Sequence, residues 1–396
     1  MKPFRQLAAL IAFNVRTLRG RLGSAGAAVF GIAGVVAVLV GVLSIGEGFR
    51  RVMVVAGKPD TAMVLRAGAD NEMTSVLLRD DVELIRNAPG VAKDAQGKPL
   101  LSPELYVVVD LPKRSSHTDA NVPLRGISQG AFAIRPEVKI IEGRTFEWGK
   151  NEVIVGRGAH SEFAGTDVGS ELHFGTNVWK VVGIFDAKGS ISESELWSDA
   201  AVLGPAYQRH ASNSIVIAKL ASPASFQQFK DALTSDPKLS VKVQTETEYY
   251  ESQSRTLRGL VTGLAFIVCS LMGVGAIFGA LNTMYTAVAA RAREIATLEA
   301  LGFGGFAVMM SVIVEALLLA VAGGVLGAGL AYVAFDGYRA ATMNWQTFSQ
   351  VTFAFDVNAR LMTWAIVYAL FIGLVGGFFP AIRAARMPVA NALRER

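Results

Sequence analysis

Four long stretches of this sequence carry almost no charge, and they constrain its fold more than any other feature. Ser24 to Ile45 lies uncharged between Arg21 and Glu47, Gly259 to Ala290 between Arg258 and Arg291, and Leu361 to Ile382 between Arg360 and Arg383. Phe306 to Phe335 holds a single charge, Glu315. About 20 mostly apolar residues suffice to cross ~30 Å of hydrocarbon as a helix. One such run can be a buried helix of a soluble protein. Four of them in 396 residues, only 18% of which are charged, predict four membrane spans. Soluble chains run nearer about 25% charged. A soluble enzyme is therefore disfavoured, and 52% hydrophobic residues exclude a disordered chain.

The first stretch could be mistaken for a secretion signal. Its apolar run of 22 residues exceeds the usual ~7–15, and the LSIGEGFRR that follows has no A-x-A-like cleavage site. It is read as an uncleaved anchor. Ahead of it Phe4, Leu7, Leu10, Ile11, Val15 and Leu18 recur at helical spacing among Arg5, Arg16 and Arg19. That pattern suits an amphipathic helix in the membrane interface, or an extension of the first span. Every span carries small residues four apart: Ala27 and Gly31, Gly275 and Gly279, Gly323 and Gly327, Gly373 and Gly377. Such pairs let helix backbones approach closely in lipid.

Charge sets the orientation. Lys2, Arg5, Arg16, Arg19 and Arg21 precede the first span with no acid among them. Arg291 and Arg293 lie between the second and third spans, beside Glu294 and Glu299, and Arg383, Arg386, Arg394 and Arg396 follow the fourth. Basic residues near span ends mark the cytoplasmic side. The resulting layout is an interfacial helix over 1–22, spans at 23–46, 257–288, 305–335 and 361–382, an outer domain over 47–256, a cytoplasmic loop over 289–304, an external loop over 336–360 and a cytoplasmic tail over 383–396. Both termini lie in the cytoplasm. The net charge of +5 divides accordingly: 24 basic and 27 acidic residues over 47–255 leave −3, and the remainder carries +8. The folded domain is mildly acidic, so nucleic acid is not an expected partner.

The segment between the first two spans reads as α+β. Strands are predicted at Thr61 to Leu65, Leu105 to Val109, Glu152 to Val155, Trp179 to Phe185 and Ser214 to Ile217, and helices at Arg79 to Asn87 and Ala224 to Leu233. Phe146, Trp148, Phe163, Phe174, Trp179, Phe185 and Trp197 are expected in its core, and ISESELWSD (Ile191 to Asp199) is expected to be a solvated loop. With Cys269 the only cysteine, no internal disulfide is available. The four histidines are scattered, so no metal site is expected. No G-x-S-x-G elbow or H-E-x-x-H pair is present. Gly302 to Ala307 matches G-x-G-x-x-A, but it follows a helical segment rather than a strand and leads into a span, which excludes a dinucleotide fingerprint. Gly-Lys occurs three times, followed by Pro59, Pro99 and Asn151, never by the hydroxyl a P-loop requires.

One span, a large outer domain and three further spans form a recognisable order. FNVRTLRGRLGSAGAAVFGIAGVVAVLVGV, ARAREIATLEALGFGGFAVMMSVIVEALLLAVAGGVLGAGLAY and the tail GFFPAIRAARMPVANALR resemble three stretches of the permease subunits of MacB/FtsX/LolC-type (type VII) ABC transporters. IIEGRTFEWGKNEVIVG and VGSELHFGTNVWKVVGIFD are similar to the periplasmic core domain of MacB-like members. Glu299 departs from the pattern, where the family often has a basic or neutral residue.

The resemblance implies a division of labour. The chain would be non-catalytic and hold no cofactor, with ATP and Mg bound by a separate cytoplasmic P-loop ATPase. That partner would dock on the loop helix carrying Arg291, Arg293, Glu294, Ile295, Leu298, Leu301 and Gly302, whose apolar residues are expected on one face. An ordinary capped loop is the simpler reading of that segment. The permease would pair with a second copy or a sister chain in a bacterial inner membrane, contact lipid, and meet a periplasmic adaptor or envelope protein. ATP-driven helix motion would reach the outer domain by mechanotransmission, to export or extract a hydrophobic or amphipathic substrate. The alternative is an FtsX-like regulator that transmits a signal to an envelope enzyme and moves no substrate. A secondary transporter is disfavoured, because Glu315 is the one acid in the spans. A carboxylate there costs ~2.5–3.5 kcal/mol. A hydrogen bond between spans, or a link to the coupling loop, is favoured over a proton relay for it.

Overall fold

The computed structural model describes residues 22–209, 212–301, 303–344 and 346–387. The interfacial helix read over 1–22, the last nine residues of the tail, and Gly302 therefore lie outside the described residues, except for Leu22.

In chain order, α1 (Leu22–Ala56) leads to β1 (Thr61–Arg66), β2 (Leu77–Leu78), α2 (Arg79–Arg86), β3 (Leu101–Pro112), β4 (Asp119–Ile127) and α3 (Ala131–Ile134). Then come β5 (Lys139–Gly143), β6 (Glu152–Gly156), α4 (Arg157–Glu162), β7 (Glu171–Phe174), β8 (Asn177–Asp186), a 3₁₀ turn at Ile191–Ser194 and β9 (Leu196–Asp199). The domain continues through α5 (Ala200–Ala206), β10 (Ser212–Asn213), β11 (Ile215–Lys219), α6 (Ser225–Thr234) and β12 (Val241–Thr245). Then follow α7 (Glu246–Ala290), α8 (Ala292–Ala300), α9 (Gly305–Phe335), a hairpin of β13 (Arg339–Asn344) and β14 (Ser349–Ala354), and α10 (Ala359–Ala385). Helices α1, α7, α9 and α10 are long and apolar enough to cross a membrane. The chain divides into two compact units, 1–47 with 260–338 and 355–396, and 48–259 with 339–354.

In the first unit, glycines let helices meet at backbone distance. A Cβ on Gly327 of α9 would strike the Ala33 carbonyl oxygen of α1, and one on Gly373 of α10 would strike Ala320 of α9. Gly323 and Gly377 make similar approaches, to α1 and α9 respectively. The remaining small-residue pairs behave differently. Ala27 and Gly31 of α1 and Gly275 and Gly279 of α7 line an open groove of about 500 Å³. Helix α10 opens on Asn358, whose side chain accepts from the Leu361 N–H at 3.0 Å and so answers one of the free amides of the first turn. The Tyr368 hydroxyl of α10 donates to the Cys269 carbonyl of α7 at 2.8 Å.

In the second unit a ten-stranded sheet runs β12-β1-β11-β3-β4-β9-β6-β8-β5, with β7 on β8. Strand β3 joins its two halves: Leu101–Glu104 pair with β11, and Leu105–Pro112 pair with β4. The β12-β1-β11 half packs on Val82 and Ile85 of α2 and on Phe229 and Leu233 of α6. The other half has a core on each face, one around Trp179 and Phe163, one around Trp197 and Phe185.

Two expectations need correction. The ISESELWSD segment is not solvated: Ser192, Glu193, Ser194 and Glu195 are all buried. Its acids are used internally, since the Glu193 carboxylate accepts the N–H groups of Ala187 at 3.0 Å and Gly189 at 2.6 Å. Among the aromatics assigned to the core, Trp148 is 39% exposed, lying edge-on to the buried Phe146. Helix α7 begins at Glu246, ahead of the span read from 257, where Thr245 and Glu248 form a reciprocal cap. The Thr245 N–H donates to the Glu248 carboxylate, and the Glu248 N–H to the Thr245 hydroxyl, each at 3.1 Å.

Candidate functional site

Helix α7 ends at Ala290, and Arg291 turns the chain into α8. The Arg291 carbonyl accepts from Ile295 N–H at 2.9 Å, which starts the short helix. Its guanidinium reaches two carboxylates: Nε lies 3.1 Å from Oε2 of Glu294 on α8, and Nη1 lies 3.1 Å from Oε2 of Glu315 inside α9. Arg291 and Glu315 side chains are each 9% exposed. A carboxylate within a span thus meets a cation supplied by the loop. Breaking such a buried pair from one side costs about 3–5 kcal/mol, because the other charge stays behind. Arg383 of α10 stacks on Tyr285 of α7, 5.6 Å from the ring centre, a second basic contact between span ends.

The apolar residues of the loop do not share one face. Ile295 is buried, and with Leu298, Met284, Val288, Val308 and Val312 it lines a cavity of about 30 Å³ beside Arg291 and Glu315. Leu301 is 73% exposed. The helix ends at Ala300, and six residues of α-helix turn through about 120° net, so Leu301 cannot stand over Ile295. Arg293 and Glu294 are exposed. Gly302, the last of the residues named for docking, lies outside the described residues. Among the described residues, no group of three or more His, Cys, Asp or Glu is placed to hold a metal ion.

The second unit contains a constellation that sequence reasoning missed. Arg125 of β4 is 2% exposed and faces three carboxylates: Glu72 at 2.6 Å, Glu195 at 2.8 Å and Glu104 at 3.0 Å. Arg135 meets Glu104 from the other side at 2.7 Å. Burial pushes Glu72 above the usual carboxylate range, against the pull of Arg125. Burial works the same way on Glu104, but there Arg135 and Arg125 together outweigh it and hold the group low. The foot of α7 covers this cluster with Tyr249, Tyr250 and Gln253, and the hairpin with Asn344, Thr347 and Ser349. The hairpin is fastened nearby. The Tyr106 and Ser349 hydroxyls share a hydrogen bond of 3.1 Å, and the Asn71 and Asn121 side-chain amides donate to the carbonyls of Gln346 at 3.0 Å and Phe348 at 2.7 Å. A signal was present: Glu104 and Arg125 are lone charges inside apolar strand runs, LSPELYVVV and NVPLRGI.

Comparison with known proteins covers both units. A family described as MacB-like periplasmic core domain matches residues 25–236, and one described as FtsX-like permease C-terminal matches residues 265–389. Relatives named macrolide export ATP-binding/permease protein MacB include one from Neisseria meningitidis serogroup A, 25% identical over 75% of this chain and 48% of its own length. One from Nitrosomonas europaea is 24% identical over 91% of this chain and 55% of its own. The chain spans about half the length of these relatives. Similar solved structures include the extracellular domain of the noncanonic ABC-type transporter YknZ from Gram-positive bacteria. It is 19% identical, with a TM-score of 0.35 over 47% of this chain and 100% of that one. The periplasmic region of MacB from Actinobacillus actinomycetemcomitans is 13% identical, with a TM-score of 0.36 over 48% of this chain and 90% of that one.

Proposed function

This chain belongs to the MacB/FtsX-type family of ABC transporter permeases, and from that premise we propose that it couples ATP hydrolysis, performed outside this sequence, to movement of its outer domain. The Arg291 bridge carries the reading. A cation placed between the loop helix and the middle of a span links any displacement of α8 to α9. An ATPase holding ATP and Mg would dock on the exposed side of α8, through Arg293, Glu294 and Leu301. Helix α7, unbroken from Glu246 to Ala290, is the element suited to carry the displacement onward. In this reading two permease chains pair in a bacterial inner membrane with their termini in the cytoplasm. The cargo is hydrophobic or amphipathic, as the macrolides of the relatives' names are.

The test is affinity purification of the full chain from its own cells, followed by an ATPase assay. A P-loop ATPase should co-purify, and Leu301→Asp together with Arg293→Asp should cut its recovery at least tenfold while α1–α10 remain folded. Recovery of no ATPase with the unaltered chain overturns the proposal.

A further inference from the structure

The cluster around Arg125 does not balance. Three buried carboxylates, Glu72, Glu104 and Glu195, face two buried guanidiniums, Arg125 and Arg135, so the fully ionised cluster holds one uncompensated negative charge. An unpaired charge in such a place is expensive and is relieved by taking up a proton. A separate observation points to where the proton sits. Gln253 is 3% exposed, and its amide NH₂ donates to the Asp70 carbonyl at 3.2 Å, which fixes the amide orientation. Its Oε1 is then left with no donor. Gln253 and Glu72 line the same cavity of about 20 Å³, room for about one water. A proton on Glu72 would give this cavity the donor it lacks, by way of a water.

We propose that this cluster is a proton-operated clasp: a proton on Glu72 holds the foot of α7 and the β13–β14 hairpin against the sheet, and its loss loosens both. The groups facing Glu72 are few. Arg125 comes from β4, Glu104 and Tyr106 from β3, and Glu195 from the turn before β9; α7 brings Tyr249, whose hydroxyl donates to Glu72 Oε1 at 3.5 Å, and Tyr250, with the buried Glu246 of the same helix acting on Arg135 and Tyr250. The hairpin contributes the neutral Asn344, Thr347 and Ser349. Neighbouring Asp70 is 88% exposed and pairs at 3.9 Å with Lys242. The sign follows from Glu72 lying above its ordinary value of 4.5. A raised carboxyl contributes stability that is fully present below that ordinary value and is lost as pH rises through the folded one. The clasp is therefore tight in acid and loosens toward alkaline pH.

The inference is independent of ATPase coupling, and so is its test. Glu246, the first residue of α7, is itself pushed up to about 7 by burial, so the parent for the test is the full chain carrying Glu246→Gln; its hydrogen exchange in detergent micelles is followed over peptides 246–254 and 339–354, from about pH 5 to about pH 8, after correction for intrinsic rates. In this parent, the opening constant of both peptides should rise by up to about tenfold per pH unit above the folded value of Glu72. Glu72→Gln, which keeps a donor and removes the charge, should abolish that slope. Gln253→Leu, which removes the acceptor, should move the transition to lower pH. Infrared difference spectra should show a carboxylic-acid carbonyl band that titrates with the slope. A flat profile in the Glu246→Gln parent overturns the proposal, as does a slope retained when Glu72→Gln is added to it. Should the Glu72→Gln variant fail to fold, the decision falls to the parent: slope and band together support the clasp, and absence of either sinks it.

Discussion

At the level of single residues, Arg291 and Glu315 form a pair whose members have unequal visibility in the sequence. Glu315 is conspicuous as the one acid in four apolar runs. Nothing in the sequence names its partner, since Arg291 and Arg293 both stand within three residues of the span end and which one turns inward is set by the turn of the chain. The structure brings Arg291, 24 positions earlier, to 3.1 Å. Removing both charges should be milder than removing one. Arg291→Met or Glu315→Gln alone should destabilise the folded chain by about 3–5 kcal/mol, and the double variant by clearly less than their sum. Unfolding of the purified variants in detergent measures this, and strict additivity would mean that the pair does not interact. Glu72, Glu104 and Arg125 were harder to anticipate. Glu104 and Arg125 look like stray charges in strands and Glu72 like an ordinary loop acid, and the cluster exists only because β3, β4 and the loop after β1 converge.

Among the elements, the four spanning helices were the most legible, because apolar length in lipid has few structural solutions. Their ends were less so. The outer foot of α7 is polar, and hydropathy alone stops short of it, although the Thr245–Glu248 cap is written in the sequence. The hairpin over 339–354 falls within a stretch that the sequence presents simply as an external loop. Its strand RAATMN has weak alternation, and what holds it is the sheet beneath it. Glycines divide by surroundings rather than by spacing. Gly327 meets the α1 backbone, whereas Gly329, two residues on, has open space around it. Gly327→Leu should therefore force α9 off α1, with a loss beyond the ~1–3 kcal/mol of ordinary overpacking, while Gly329→Leu should be nearly silent. Thermal stability of the two variants in micelles checks this, and equal midpoints would contradict the packing.

On the scale of the whole molecule, the sequence implies an orientation through its basic residues, with the charge over 47–255 at −3 against an overall +5. Cys269 is buried and is the chain's one thiol, so engineered cysteines can be read against a low background. In intact cells, Ser116→Cys on the outer domain should react with a membrane-impermeant maleimide, and Leu301→Cys, just after α8, should react only after the membrane is opened. The reverse pattern would invert the topology.

The hairpin has one more consequence, for the order in which the protein can be made. The sheet it covers is complete in the chain by Thr245, yet the hairpin itself begins at Arg339, after α7 and α9. A ribosome delivers these pieces in sequence, so the earlier domain must wait for two later helices before it is sealed. Until then Tyr106, Asn71 and Asn121 lack the partners that residues 346–349 bring. Contacts of such long sequence separation are slow to form and leave surface open to wrong partners meanwhile. The newborn chain therefore passes through an interval in which the strands of its sheet are all made while the hairpin that covers them is not.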